Sequence, residues 1–231
     1  MCASVWAMAA ASPPTRPALR ARYDRRQRAI VAAAARLFAT RGYQTTSMAD
    51  LTAATGLAAG GLYHYIGSKE RLLFRICDEL LEPLLEQARA IVAREASATE
   101  HLHELLRAWL AHIAAHRDHM LVFAQERHVI EREPQWREVR RQRKAFERIL
   151  DDVLARGERD GTLVFADRPL TLLALLGMVN HAATWLAPRG RLSPEQIADG
   201  YCDLILKAGA PEGADGRTGA AAPAGVRTAT R

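Results

Sequence analysis

Cysteine is scarce in this chain of 231 residues, and Cys2, Cys77 and Cys202 are odd in number, widely separated and in no CxxC spacing. That argues against a disulfide framework or a zinc site, and it fits a reducing cytoplasm. No apolar run reaches the roughly 18 residues of a membrane-spanning helix without polar interruption. The short apolar stretch within MCASVWAMAAASPPTRPALR has no positive segment before it, so it does not read as a secretory signal. Residues 1–20 read instead as a disordered extension, with a downstream translation start as the alternative. β-branched runs and internal repeats are missing. Also absent are a Gly-rich phosphate loop, a nucleophile elbow and an HExxH pair, which argues against an enzyme.

What is present is a series of helical patterns. Apolar residues make up 49% and charged residues 25% of the chain, which is ordinary for a globular protein with a sizeable core. The reading is an all-α fold. The net charge of +6 is uneven: residues 16–75 hold 11 Lys/Arg against 3 Asp/Glu, and the remainder holds 21 against 23. Positive charge gathered on one part of a chain is the footprint of a phosphate-binding face. A solvated arginine tail over residues 20–28 would explain only part of it. A first helix is expected over residues 24–40, with Ile30, Ala33, Ala34, Leu37 and Phe38 as its apolar stripe.

Residues 42–72, GYQTTSMADLTAATGLAAGGLYHYIGSKERL, carry the most information. Ser47 with Asp50 three residues on forms a capping box, and Met48, Leu51 and Ala54 share one helix face. Gly56 supplies a turn that needs positive φ. A second short helix over residues 58–65 turns Leu62 and Tyr65 inward, and Ser68 caps a third. Two short helices joined through a glycine turn match a helix-turn-helix, whose second helix lies in the DNA major groove.

The spacing of Gly42, Tyr43, Thr46, Ser47, Gly56, Gly60, Leu62, Tyr63, Ser68, Lys69 and Glu70 resembles the DNA-binding domain of the TetR/AcrR family of transcriptional regulators. Two positions depart from that pattern: Ala58 stands where the family usually has Ser, and Ile66 where it usually has Phe. The resemblance implies a DNA-binding face made by Arg26, Thr46, Ser47, Ala58, Ala59, Gly60, Gly61, Tyr63, His64 and Lys69. Packing is the alternative role for Tyr63, and a solvated surface charge for Lys69. Ala58, Ala59, Gly60 and Gly61 offer no side-chain hydrogen bonds. Readout then falls to methyl contacts, DNA shape, or Tyr63 and His64, and these stay open.

The domain reading is an extension over 1–20, the helix-turn-helix unit over 21–68, a regulatory and dimerisation domain over 69–208, and a disordered tail over 209–231. A fourth helix from Lys69 meets Pro83, so it either kinks or ends near Glu82. Further helices are expected at 99–115, 118–131, 135–157, 169–186 and from 194 to about 207. The 169–186 helix is apolar all round. The family resemblance assigns the last two helices to a homodimer interface, with Leu172, Leu173, Leu176, Val179, Ala183, Leu204 and Ile205 divided between partner and core.

For a small hydrophobic effector the candidates are Phe123, Glu126, Trp136, Met178, Asn180, His181 and Trp185, polar or aromatic residues inside apolar patterns. Arg140 joins them from the arginine run 137–148, which is either a solvated face or an anion site. The regulatory half is similar to TetR-type sensors of CoA thioesters. No cofactor is expected. His112, His116 and His119 share a helix face and read as a hydrogen-bonded or solvated stripe, with a metal site as the sharper alternative. The function expected is a ligand-responsive, dimeric, cytoplasmic DNA-binding repressor, released from a palindromic operator by a hydrophobic molecule such as an acyl-CoA. A metal-responsive repressor or an effector-independent DNA binder is the alternative.

Overall fold

In the computed structural model of the chain, Ser47 and Asp50 make the capping box reciprocally: Ser47 Oγ accepts from the Asp50 amide at 3.1 Å, and Asp50 Oδ2 accepts from the Ser47 amide at 2.8 Å. The structure describes residues 14–187 and 190–208. These hold ten α-helices, α1 (Pro17–Arg41), α2 (Met48–Thr55), α3 (Ala59–Ile66), α4 (Lys69–Val92), α5 (Ala98–Ala115), α6 (Arg117–Gln125), α7 (Arg127–Arg132), α8 (Arg137–Arg159), α9 (Arg168–Trp185) and α10 (Pro194–Ala208). A 3-10 turn over Pro134–Trp136 precedes α8, and no strand occurs among the described residues. The fold is all-α, as read.

α1 starts at Pro17, earlier than residue 24, so residues 17–20 of the expected extension are helical. Proline's fixed φ suits a first helical turn, and Arg20 pairs with Asp24 one turn later at 3.1 Å. The first thirteen residues of that extension, and the expected tail 209–231, lie outside the described residues. α4 runs unbroken through Pro83, which excludes a boundary at Glu82. The ring faces out and costs one backbone bond, while Leu80, Leu81, Leu84 and Leu85 keep the helix pinned to the core. A second correction falls at 118–131, where one helix was expected and α6 and α7 meet at Glu126, φ −93° and ψ 11°. No helix breaker stands there, so periodicity had nothing to mark.

Ile30, Val31, Ala34, Ala35 and Phe38 of α1 are buried, as are Leu51 of α2 and Leu62 and Ile66 of α3. α1 packs on α2, α4 and α6; α4 packs on α5, α6 and α8; α5 packs on α8, α9 and α10. α4 therefore belongs to both halves of one continuous core.

Candidate functional site

The turn between α2 and α3 is set by Gly56, in the left-handed region at φ 64° and ψ 22°, where a side chain would be strained. Two residues of α1 close the unit from behind. Arg26 reaches the Thr55 carbonyl at 3.4 Å, and Gln27 Nε2 donates to the Tyr65 carbonyl at 3.1 Å, satisfying the ends of α2 and α3. Ala58 is the N-cap of α3 and provides no side-chain cap. Its outer face is Ala58, Ala59, Gly60, Tyr63 and His64, all exposed, with Tyr63 at 46%. A Cβ built at Gly60 meets nothing within 4 Å.

Lys69 donates to the Gln44 carbonyl at 3.3 Å and lies 4.4 Å from the centre of the Tyr43 ring, a cation–π contact. Burial lowers its pKa. Tyr43 is pushed up to about 12 by burial and then by Glu70, Glu126 and Glu133. Ser47, the N-cap of α2, is exposed. Thr46 is placed otherwise than expected: it is 1% exposed, and its hydroxyl donates to the Gly42 carbonyl at 2.7 Å. Its side chain holds the turn.

In the regulatory half, a small cavity of about 30 Å³ lies between α4, α5, α6, α8 and α9. Its apolar wall includes Leu80, Leu84, Trp109, Met120, Phe123, Phe146 and Leu176, and its polar groups are His112, Arg143, Glu147 and Asn180. Arg143 bridges Glu147 at 2.5 Å and Glu131 at 2.8 Å, while its Nε is buried without an acceptor. His112 is lowered in pKa by burial and then by His116, and its Nε2 lies 2.7 Å from the Leu80 carbonyl. That carbonyl only accepts, so Nε2 carries the proton and Nδ1 is an acceptor. His116 Nδ1 likewise meets the His112 carbonyl at 3.0 Å, and His119 Nε2 sits 3.8 Å from Glu79.

Of the expected effector residues, only Phe123 and Asn180 line this cavity. Glu126 lies one turn beyond Phe123, buried, with Oε2 unpartnered. Trp136 is a core residue against Phe74, with ring centroids 6.2 Å apart. Arg140 donates to the Ile130 and Glu133 carbonyls at 2.6 and 2.8 Å, tying α7 to α8. Met178 is half-buried against the core. His181 is exposed and bonded to Thr184, and Trp185 flanks a separate open groove between the end of α9 and α10. The arginine run divides: Arg137, Arg141, Lys144 and Arg148 are solvated, whereas Arg140 and Arg143 turn inward. Missed from sequence were Leu80, Trp109 and Phe146, each sitting in a stripe that reads as ordinary core, while Arg143 lay within the flagged arginine run without being singled out.

Two family models match the chain: "Bacterial regulatory proteins, tetR family" over residues 30–76 and "Tetracyclin repressor-like, C-terminal domain" over residues 95–208. The crystal structure of the TetR-family regulator PfmR from Thermus thermophilus is 31% identical, covering 77% of this chain and 97% of that one, with a TM-score of 0.69. The chain belongs to the TetR family. The HTH-type transcriptional repressor KstR2 of Mycobacterium tuberculosis is 26% identical over 178 residues, 75% of this chain and 87% of its own. AibR, solved with isovaleryl coenzyme A and operator DNA, is 30% identical over 78% of this chain and 98% of its own, with a TM-score of 0.68. This TetR-family chain is thus a helix-turn-helix transcriptional regulator. Dimers and ligand binding are typical of the family.

The residues expected to divide between partner and core differ in exposure. Val179 and Ala183 are buried in the chain's own core, at 0% and 1% exposure, and Leu172, Leu176 and Ile205 are half-buried. Leu204 is open at 60% and Leu173 at 64%, joined by the unforeseen Leu170, also 64% exposed. No described helix is long and apolar enough to cross a membrane.

Proposed function

We propose that this TetR-family regulator is a dimeric repressor that holds a palindromic operator and releases it when a hydrophobic small molecule enters the α4–α9 cavity. α6 carries the reading. Met120 and Phe123 of α6 line the cavity, while at its far end Gln125 donates to the Ala39 carbonyl of α1 at 3.3 Å. Glu126, next in the chain, is buried where its charge acts on Tyr43 and Lys69. One short rigid element therefore has an effector wall at one end and the DNA-binding unit at the other.

The exposed face of α3 is the reading surface, with Arg26, Ser47, Tyr63, His64 and Lys69 as phosphate or base contacts. Two such faces related by a two-fold axis fit half-sites about one helical turn apart. The effector acts by binding one arrangement of the heads better than the other, without touching DNA. An acyl-CoA thioester fits the reading, supported by the apolar cavity and by what AibR was solved with. The setting is the cytoplasm.

The test is fluorescence anisotropy of the full-length protein on DNA from its own upstream region, with and without a panel of acyl-CoA thioesters and their free acids. Specific binding released by a thioester and not by its acid supports the whole reading. Specific binding that no thioester disturbs keeps the repressor and removes the CoA. Binding without sequence preference, or a shift caused by zinc, returns the alternatives.

A further inference from the structure

We propose that the cavity recognises its effector through a neutral oxygen acceptor, a ketone, ester or thioester carbonyl, held by the Arg143 Nε–H with Asn180 beside it. This rests on the effector reading above and names the ligand chemistry. Two observations carry it. The Arg143 Nε–H is a buried donor with no acceptor, although the other edge of the same guanidinium is used. Native interiors rarely leave such a donor unmet, because its desolvation is not returned. Asn180, on the same wall, makes none of the side-chain bonds found among the described residues.

Charge bookkeeping on that wall selects the kind of acceptor. Arg143 is matched by Glu147 at 2.5 Å inside the cavity and by Glu131 at 2.8 Å behind it. Arg127, 3.9 Å from Glu131, is solvated. His112, the remaining titratable group on the lining, is held toward its neutral form by burial. A carboxylate entering here finds no uncompensated cation and meets Glu147, so its desolvation goes unmatched. A cation would have to draw Glu147 from Arg143. A neutral carbonyl needs neither rearrangement: it accepts from Nε–H while its chain lies against Trp109, Phe123 and Phe146.

The experiment uses four ten-carbon probes on the full-length protein: 2-decanone, decanoyl-CoA, decanoate and decyltrimethylammonium. Binding is read by calorimetry on wild type, Arg143→Lys and Asn180→Ala. Lysine keeps a charge between the two glutamates but removes Nε–H, and circular dichroism with operator binding shows whether each variant is folded. The expected result is that 2-decanone and decanoyl-CoA bind, that the other two bind more weakly, and that Arg143→Lys loses about ten- to a hundredfold in ketone affinity, the range for a hydrogen bond from a charged donor. Decanoate or the ammonium binding better than the ketone overturns the proposal. So does unchanged ketone affinity in folded Arg143→Lys, leaving the effector cavity standing. If none of the four binds wild type, the cavity reading falls and the proposal with it.

Discussion

Lys69 uses one ammonium hydrogen on the Gln44 carbonyl and lies on Tyr43, leaving two donors at the edge of the α2–α3 unit. A lysine so placed is pre-oriented for a phosphate, since its entropy is already spent inside the protein. If it makes that contact in both subunits, Lys69→Met lowers operator affinity and flattens the plot of log affinity against log salt by about 0.9 for each phosphate lost, or about 2 per dimer. Anisotropy over a salt series reads this directly. An unchanged slope would assign Lys69 to the loop alone. His101 makes a residue-scale claim of another kind. It is fully buried, with Nδ1 2.6 Å from Arg156 Nη2 and Nε2 3.1 Å from the Arg94 carbonyl. Arginine only donates, so Nδ1 accepts and the ring is neutral. Burial, then Arg156, pulls its pKa below the ordinary 6.5. Below about pH 6.5 the unfolded chain takes up a proton that the folded one resists, so stability falls with pH in that window. His101→Gln, whose amide can accept from Arg156 without titrating, is expected to lose that part of the slope in melts between pH 7.5 and 5.5.

At the scale of elements, the helix-turn-helix was legible because its signals are local. The Ser47–Asp50 box, Gly56 and Ser68 each act within four residues, and each appears where the sequence put it. The cavity was not legible, because five helices contribute to it. Arg143 is one arginine among several until α4 and α7 close over it, and Phe146 is one aromatic in a stripe. α9 fails for a third reason: a helix apolar all round has no preferred face, so Val179 and Leu173 were indistinguishable until packing buried one and left the other out. α3 yields a prediction at this scale. Glycine inside a helix costs about 1 kcal/mol relative to alanine, yet Gly60 sits there with open space around it. Gly60→Ala is therefore expected to stabilise the free protein by up to about 1 kcal/mol in urea unfolding. If the glycine exists to let the α3 backbone approach DNA, the same variant loses operator affinity. Gain in stability with no loss of binding would move the DNA face away from Gly60.

For the whole molecule the open question is what covers Leu170, Leu173, Trp185 and Leu204, which remain exposed on α9 and α10. Four large apolar side chains on the last two helices are more than scattered surface residues, and clustered apolar exposure marks an interface. A two-fold axis through this face would pair each patch with its own copy and fix the separation of the two α3 helices. The energetics are adequate: burying a leucine contributes about 1.5–3 kcal/mol, and symmetry doubles every residue. Leu173→Glu combined with Leu204→Glu replaces two open positions without disturbing Val179 or Ala183 beneath them, so each protomer keeps its own core. The expected outcome is a monomer by analytical ultracentrifugation with helical content unchanged. Its affinity for the full operator should fall by two orders of magnitude or more, while its affinity for an isolated half-site should match that of wild type. That pairing of results separates loss of dimerisation from loss of folding, because a misfolded head would lose both sites together. A double variant that stays dimeric would place the axis elsewhere on the molecule, and with it the geometry by which the cavity could reach the DNA.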